Sequence, residues 1–252
     1  MLVKEPIIEA CVDSYESCSA AFGAGADRFE LCANLVIGGT TPSPAFFRQI
    51  KKDFDIKINV LIRPRFGDFL YSDTEISQMC EEIAEFSSLG ANGVVIGALT
   101  EDGELDMYKM KRMISAAENM DVTLHRAFDV AQDPYKTLEQ AVELGCKTIL
   151  TSGQAKNAPA GAEILRRLNA QSAERIDIMA GSGVNSGNIR EIYSKTAITT
   201  FHTSGRTRNI ESKMRYRKEG VSMGLDTLSE YTVFRTDSDE FRRCAQTVHS
   251  LK

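Results

Sequence analysis

Apolar and polar residues alternate with a period of two in three segments near the N-terminus, residues 7–12, 28–33 and 56–65. This period is typical of β-strands, whose successive side chains point to opposite sides. Each segment then has one apolar face and one face that carries carboxylate, thiol or guanidinium groups. Burying an unpartnered polar group costs roughly 2–7 kcal/mol. The repeated pattern therefore indicates a functional site on the polar faces.

The remainder of the chain continues the alternation of short apolar strands with helices. Further strands are predicted over 93–99, 122–128, 148–152, 176–180 and 199–204, and helices over 14–25, 45–54, 73–89, 107–119, 133–145, 160–170, 186–194 and 237–251. Eight such units in 252 residues match the (β/α)8 TIM barrel in number and length. A doubly wound open sheet is the alternative, but its central strands are near-continuously apolar.

No linker, low-complexity tract or shift in composition interrupts the chain. We therefore expect an α/β protein in which residues 1–252 form a single TIM-barrel domain with a C-terminal helix. Phe29 and Leu31 are then expected to face the helices. A further expectation is that the following side chains point into the barrel at one end: Glu9, Cys11, Glu30, Cys32, Arg63, Arg65, His125 and His202.

Composition and charge narrow the class of protein. The net charge of −5, with no block of like charge, argues against nucleic acid or an anionic membrane as a partner. The N-terminus is interrupted by charge too early for a signal peptide, and no apolar run approaches the roughly 20 residues that span a bilayer. The six cysteines contain no Cys-x-x-Cys pair. These features predict a cytoplasmic protein with reduced thiols and no nucleotide cofactor.

Reactive residue types concentrate at the predicted strand ends, where TIM barrels carry their chemistry. In chain order they are Cys11 and Asp13; Glu30 and Cys32; Arg63, Arg65 and Asp68; His125, Arg126 and Asp129; Thr151 and Ser152; Gly181, Ser182 and Gly183; and His202, Ser204 and Arg206. Two of the three histidines are in this set. The joint placement of these residues at the strand ends, rather than any one position, indicates a functional site.

Nine short blocks carry a family resemblance over nearly the whole chain. They are GADRFELC (25–32), GGTTPS (38–43), IRPRFGDF (62–69), YSD (71–73), GALTEDG (97–103), TLHRAFD (123–129), LTSG (150–153), MAGSGV (179–184) and MRYR (214–217). Through them the chain resembles the copper homeostasis protein family CutC. The resemblance implies a cytoplasmic TIM barrel tied to Cu(I) handling that self-associates as a homodimer or homotetramer. It implies no settled enzymatic reaction.

Two positions depart from the family pattern. Ile37 stands where an acidic residue is expected before Gly38, and Phe66 replaces the first glycine of an Arg-Pro-Arg-Gly-Gly-Asp loop. Both are expected to alter the mouth of the barrel.

Cys11 and Cys32 are the candidate metal ligands. They share the inward parity of two sequential strands, and neighbouring strands lie about 4.8 Å apart. Cu(I) prefers such soft thiolate ligands, and the resemblance implies that cysteines matching these two hold the copper. The alternative is that both pack as small buried hydrophobes, as we expect for Cys18, Cys80, Cys146 and Cys244.

The same strand ends also suit an enzyme, a lyase, isomerase or hydrolase acting on a small phosphate- or carboxylate-bearing substrate. Glu9 or Glu30 is then the general base, and His125 or His202 the acid. Residues expected to bind the anion are Arg63, Arg65, Asp68, Asp129, Ser152, Gly181, Gly183, Ser204 and Arg206. Two alternatives stay open: an interior lattice in which Glu30 pairs with Arg28 or Arg63, and a binding protein without turnover.

Overall fold

Eight parallel strands close into a barrel in the computed structural model, which describes residues 5–207, 209–218, 220–221, 223–225 and 227–251. The strands are β1 (Ile7–Val12), β2 (Arg28–Leu31), β3 (Lys57–Leu61), β4 (Gly93–Ile96), β5 (Asp121–Leu124), β6 (Thr148–Thr151), β7 (Asp177–Ala180) and β8 (Thr200–Thr203). Each strand pairs with the next, and β8 pairs with β1. The predicted (β/α)8 TIM barrel is confirmed.

The helices alternate with the strands along the chain. They are α1 (Tyr15–Gly23), α2 (Pro44–Asp53), α3 (Asp73–Ser88), α4 (Met107–Ala117), α5 (Pro134–Glu143), α6 (Ala162–Ser172), α7 (Ile189–Thr196) and α8 (Ser238–His249). Local sequence sets several of their starts. The side chain of Ser72 accepts a hydrogen bond from the amide of Glu75, whose carboxylate returns one from the Ser72 amide, so both orphan donors are satisfied. No helix of the described residues combines the length and the apolar character needed to cross a membrane.

The predicted division of strand faces is confirmed for the first two strands. Phe29 and Leu31 are fully buried in the main apolar core between the barrel and its helices, and the Phe29 ring lies 6.1 Å from that of Phe54 just after α2. Cys11 and Cys32 belong instead to a separate small apolar cluster inside the barrel. The polar faces of β1 and β2 therefore meet in the barrel interior.

Several strands are shorter than predicted. β3 ends at Leu61 rather than at residue 65, because the backbone of Arg63 exchanges hydrogen bonds with Thr41 in the loop after β2, and Pro64 has no amide to donate. β5 ends at Leu124, where a 3-10 helix over Arg126–Val130 takes over. These early ends move the functional side chains from strands onto loops.

The stretch between β8 and α8 holds an element that the sequence pattern did not predict. Two short antiparallel strands, β9 (Ile210–Glu211) and β10 (Thr232–Val233), pair with each other outside the barrel. Alternation over two residues is too short to give a periodic signal.

Candidate functional site

A cavity of about 380 Å³ opens at the carboxyl ends of the barrel strands. Its floor is formed by inward side chains of β1, β2 and β8, including Cys11, Glu30 and His202. Its walls come from the loops after β2, β3, β5, β7 and β8. The cavity is in the size range of small-molecule sites, and it lies where barrels of this fold carry their chemistry.

The two predicted metal ligands meet at the floor. The Sγ atoms of Cys11 and Cys32 are 3.9 Å apart, because Cys11 pairs with Glu30 in the register of β1 and β2 and Cys32 follows two residues later. A carboxylate oxygen of Glu30 and both sulfur atoms lie within 4.8 Å of one another. Leu61 of β3, Val95 of β4 and the partly buried Leu35 enclose the pair in apolar contacts. The result is two thiols and a carboxyl group in one small volume.

The two thiols differ in protonation. A hydrogen bond from Cys32 and the positive charge of His202 lower the pKa of Cys11 to about 5, against the opposing effect of burial. Burial raises the pKa of Cys32 well above its usual value, and the neighbouring Cys11 reinforces that change. At neutral pH the pair therefore holds a thiolate at Cys11 and a thiol at Cys32 that donates to it.

His202 lies between two carboxyl groups beside this pair. Its Nδ1 is 2.8 Å from Glu9 Oε1, and its Nε2 is 3.2 Å from Glu30 Oε2. Burial opposes the charged imidazolium, but Cys11 and Glu30 outweigh it and raise the pKa of His202 well above its usual value. Burial and the nearby Cys11 raise the pKa of Glu30 well above its usual value. The floor thus combines two thiol groups, an imidazole and a carboxyl group, each with a shifted pKa.

Glu9 is held beneath the floor by a different set of partners. Its Oε2 accepts hydrogen bonds from Arg28 Nε at 2.6 Å and from Asn59 Nδ2 at 3.2 Å. Burial alone would raise the pKa of Glu9, but Arg28 and His202 lower it to about 2. The alternative of an interior lattice that pairs Glu30 with Arg28 or Arg63 does not match the structure, in which Arg28 pairs with Glu9. Glu9 is 1% exposed and outside the lining of the cavity.

Arg63 and His125 lie in the cavity wall, and both contact the aromatic ring of Phe69. The Arg63 guanidinium stacks over Phe69 with its Cζ 5.1 Å from the ring centroid, and the same ring lies 4.8 Å from the His125 imidazole. Nδ1 of His125 accepts a hydrogen bond from the Ala127 amide at 3.1 Å. Burial and the charge of Arg63 lower the pKa of His125 to about 3. His125 is therefore neutral at physiological pH.

The loops after β7 and β8 complete the wall. Three of the predicted anion-binding residues, Gly183, Ser204 and Arg206, line the cavity. Arg206 Nη2 donates to Asp13 Oδ1 at 2.5 Å, and its guanidinium lies over the ring of Phe234. The hydrogen bond between Arg206 and Asp13 joins the loop after β8 to the loop after β1.

Other predicted anion-binding residues lie away from the cavity lining. Arg65, expected to point inward, instead donates from Nε to Glu75 Oε1 at 2.6 Å and from Nη2 to the Leu70 carbonyl at 2.8 Å. Asp68 pairs with Arg65 at 3.1 Å, and its side chain is 71% exposed. The expected inward orientation of Arg65 is wrong because the strand ends before Pro64, so period-two parity no longer applies.

Asp129, Ser152 and Gly181 have structural contacts of their own. The Asp129 carboxylate accepts hydrogen bonds from the Thr151 hydroxyl and from both the amide and the hydroxyl of Ser152. Gly181 packs so closely against Leu150 that an added Cβ would lie 2.4 Å from Leu150 Cδ1. These residues connect the loops after β5, β6 and β7 to one another.

The departures from the family pattern do not reach the cavity. Phe66 is 64% exposed, and neither Phe66 nor Ile37 is part of the cavity lining. Phe69 and Glu240 also line the cavity, although no sequence pattern predicts a site role for either residue. Phe69 stands in a recognised block but carries no reactive group. Glu240 reaches the site from α8, and helical periodicity gives no sign of that placement.

Comparison with known proteins identifies the family. The sequence profile described as the CutC family matches residues 6–207. A protein of Bacteroides thetaiotaomicron named a family protein CutC is 47% identical over 226 residues, covering 88% of this chain and 89% of its own. One from Chromobacterium violaceum is 42% identical over 238 residues, covering 94% and 96%.

Solved structures agree with this assignment. The structure named copper homeostasis protein CutC, from Streptococcus agalactiae, superposes with a TM-score of 0.76 at 30% identity, covering 79% of this chain and 98% of that one. An aldolase named QR15 superposes with a TM-score of 0.61 at 15% identity, covering 81% and 92%, which supports the fold alone. The resemblance carried by the nine sequence blocks is confirmed, and the chain belongs to the CutC family.

Proposed function

We propose that this protein serves copper homeostasis by binding Cu(I) as its cargo through Cys11 and Cys32. The observation that supports this most directly is the 3.9 Å separation of the two sulfur atoms. Metal–thiolate bonds are about 2.3 Å long, as measured for zinc, so one ion between the two sulfurs is within reach of both. Cu(I) is a soft ion that favours thiolate ligands.

The separation also bears on the coordination of the ion. Two bonds of about 2.3 Å in line would hold the sulfurs about 4.6 Å apart, more than the 3.9 Å seen here. An ion bonded to both sulfurs at this separation would not lie on the line that joins them. Glu30 is the neighbouring oxygen donor, with an oxygen within 4.8 Å of both sulfurs.

The lowered pKa of Cys11 favours copper binding at this site. Cys11 is already a thiolate at neutral pH, since its pKa is about 5. Cys32 has a raised pKa and must lose its proton as the metal binds, because the thiolate is the ligand. Copper binding therefore releases about one proton for each ion, and the nearby His202 imidazolium balances the negative charge that builds up.

A competition titration with a Cu(I) chelator under anaerobic conditions tests the proposal. We expect one Cu(I) per chain in the parent and loss of that binding in the Cys11→Ser, Cys32→Ser double variant. Cys146→Ser is the matched control, because Cys146 is a buried thiol outside the lining of the cavity. Equal affinity in the double variant and the parent would contradict the proposal.

The setting of this function is part of the same proposal. A net charge of −5 and six free cysteines support a reducing, cytoplasmic location without nucleic acid or membrane partners. Assembly as a homodimer or homotetramer is inferred from the family resemblance alone. Size-exclusion chromatography with light scattering tests it directly.

A second candidate function is acid–base catalysis on a small anionic substrate. It is favoured by the opposite pKa shifts of two cavity groups, lowered for Cys11 and raised for Glu30, since such divergence is typical of paired catalytic acids and bases. His202 contacts both Glu9 and Glu30 and would transfer protons between them. The catalytic roles predicted for Glu9, Glu30, His125 and His202 stay predictions.

This second candidate is tested with a panel of sugar phosphates and small carboxylates. Product formation is followed by NMR in the parent and in Glu30→Gln. We expect turnover of at least one compound by the parent and loss of turnover, with binding retained, in the variant. Binding without turnover across the panel would favour the copper protein over the enzyme.

A further inference from the structure

We infer that the cavity wall binds the oxyanion head of a small organic acid, a carboxylate or phosphate, through the unpaired nitrogen atoms of Arg63, His125 and Arg206. The inference does not depend on copper binding. It deepens the second candidate function, because it names the ligand class, but it does not require turnover.

Three buried nitrogen atoms on residues that line the cavity lack a hydrogen-bond partner in the described part of the chain. Within the described residues, six buried side-chain nitrogen or oxygen atoms make no hydrogen bond, and three of them are Arg63 Nε, His125 Nε2 and Arg206 Nε. All three residues line the same cavity. A buried polar group left without a partner destabilises the fold, and a charged one does so more strongly. Three such groups around one cavity indicate a ligand that satisfies them.

The His125 ring can act toward a ligand only as a hydrogen-bond donor. Its Nδ1 accepts a hydrogen bond from the Ala127 amide and so carries no proton. The neutral ring then has its proton on Nε2, and this atom is a donor without an acceptor. Phe69 fixes the orientation of the ring from one side. The missing partner of His125 is therefore a hydrogen-bond acceptor.

Arg63 adds a buried positive charge that no described carboxylate neutralises. Its two Nη atoms donate to the carbonyls of Gly39 and Gly67, at 3.0 and 2.8 Å, whereas its buried Nε–H makes no hydrogen bond to a described residue. The residue is 7% exposed. Buried charges are normally paired with an opposite charge. A positive wall group of this kind, in a chain whose net charge is −5, favours an anion.

Arg206 supplies the third N–H from the loop after β8. One of its Nη atoms is held by Asp13, and its Nε is buried without a partner. The three donors are all N–H groups, so the ligand must offer acceptors alone, which both carboxylate and phosphate do. The three N–H groups belong to wall residues, whereas Cys11 and Glu30 form the floor, so the anionic head belongs at the wall and the remainder of the ligand extends over the floor.

Isothermal titration calorimetry with inorganic phosphate and, separately, succinate tests the inference and distinguishes the two head groups. We expect at least one probe to bind the parent. His125→Asn preserves an acceptor near the Nδ1 position but lacks the Nε2 donor, whereas His125→Gln places an amide N–H near the Nε2 position. Since a hydrogen bond to a charged group contributes roughly 1.5–3 kcal/mol, the asparagine variant is expected to bind at least tenfold more weakly. The glutamine variant should bind within a few-fold of the parent.

Two arginines in the same loop give a matched pair. Arg63→Gln is expected to abolish binding, and Arg65→Gln to leave it unchanged, because Arg65 contacts Glu75 and lies outside the cavity lining. Binding should persist in the Cys11→Ser, Cys32→Ser variant, so a failure of the copper proposal is separable from a failure here. The inference is overturned if neither probe binds the parent, or if His125→Asn binds as tightly as the parent.

Discussion

Glu9 and His202 face each other across the seam where the first and last strands of the barrel meet, with Glu9 Oε1 2.8 Å from His202 Nδ1. The two residues are 193 positions apart in the chain. The same carboxylate pairs with Arg28 at 2.6 Å. The closed barrel thus buries the Glu9 carboxylate between His202 and Arg28. The stability of the protein and the pKa of nearby groups depend on this arrangement.

Glu9→Gln is expected to lower the free energy of unfolding by about 3–5 kcal/mol, because removing one member of a buried charged group leaves its partners uncompensated. Urea denaturation measures the change. Glu139→Gln is the control, since Glu139 also pairs with an arginine, Arg175, but is 48% exposed, and exposed pairs contribute little. Comparable losses in the two variants would argue against the buried network.

The stability of the parent should fall in acid through Glu9. Its pKa is about 2 in the folded protein, against 4.5 for the free side chain. The lowered pKa means that the unfolded state binds the proton more readily. The contribution is therefore fully present above pH 4.5 and is lost as the pH falls toward 2. Urea midpoints measured across this range should decline less in Glu9→Gln than in the parent.

Cys11 should react with iodoacetamide at unusually low pH. The thiolate is the reactive form, and a pKa of about 5 predicts half-maximal reactivity near that pH, with reactivity falling below it. Peptide mass spectrometry follows the label. Cys80 is the control: it is more exposed than Cys11 but has a raised pKa. Faster labelling of Cys80 than of Cys11 at pH 6 would contradict the assignment.

His202→Gln should raise the pKa of Cys11, because the thiolate loses the neighbouring imidazolium charge that stabilises it. Thiolate absorbance at 240 nm, followed during a pH titration, measures the shift. His249→Gln serves as the matched variant, since His249 contacts Asp27 in an exposed position far from the thiols. An unchanged midpoint in His202→Gln would show that the hydrogen bond from Cys32 acts alone.

Asp129→Ala should destabilise the protein by about 1–3 kcal/mol, the cost of leaving buried donors unsatisfied, since the carboxylate accepts from Thr151 and Ser152. Thermal or urea unfolding measures the loss. Asp68→Ala should have almost no effect on stability, because that side chain is 71% exposed. Both residues were predicted from sequence as anion contacts, so calorimetry with inorganic phosphate should be run on each. Weaker phosphate binding by a folded Asp129→Ala variant would restore its predicted role.

The sequence by itself determined the barrel and the inward face of its first two strands. Period-two alternation requires that Glu30 and Cys32 share a side opposite Phe29, whatever the rest of the chain does. The strand-ending positions of Cys11 and Cys32 likewise placed both thiols at one end of the sheet, where they lie 3.9 Å apart. The face and the strand-end position of a residue depend on its neighbours along the chain, so the sequence alone predicts them.

Only the tertiary structure decided which charged groups share a partner and which of them reach the cavity. Glu9 pairs with His202 because β1 closes on β8, a contact that no local pattern encodes. Arg63 and Arg65 have the same parity, yet Arg63 lines the cavity and Arg65 contacts Glu75. The strand ends at Leu61, and beyond it the direction of each side chain depends on the loop and its long-range hydrogen bonds rather than on alternation.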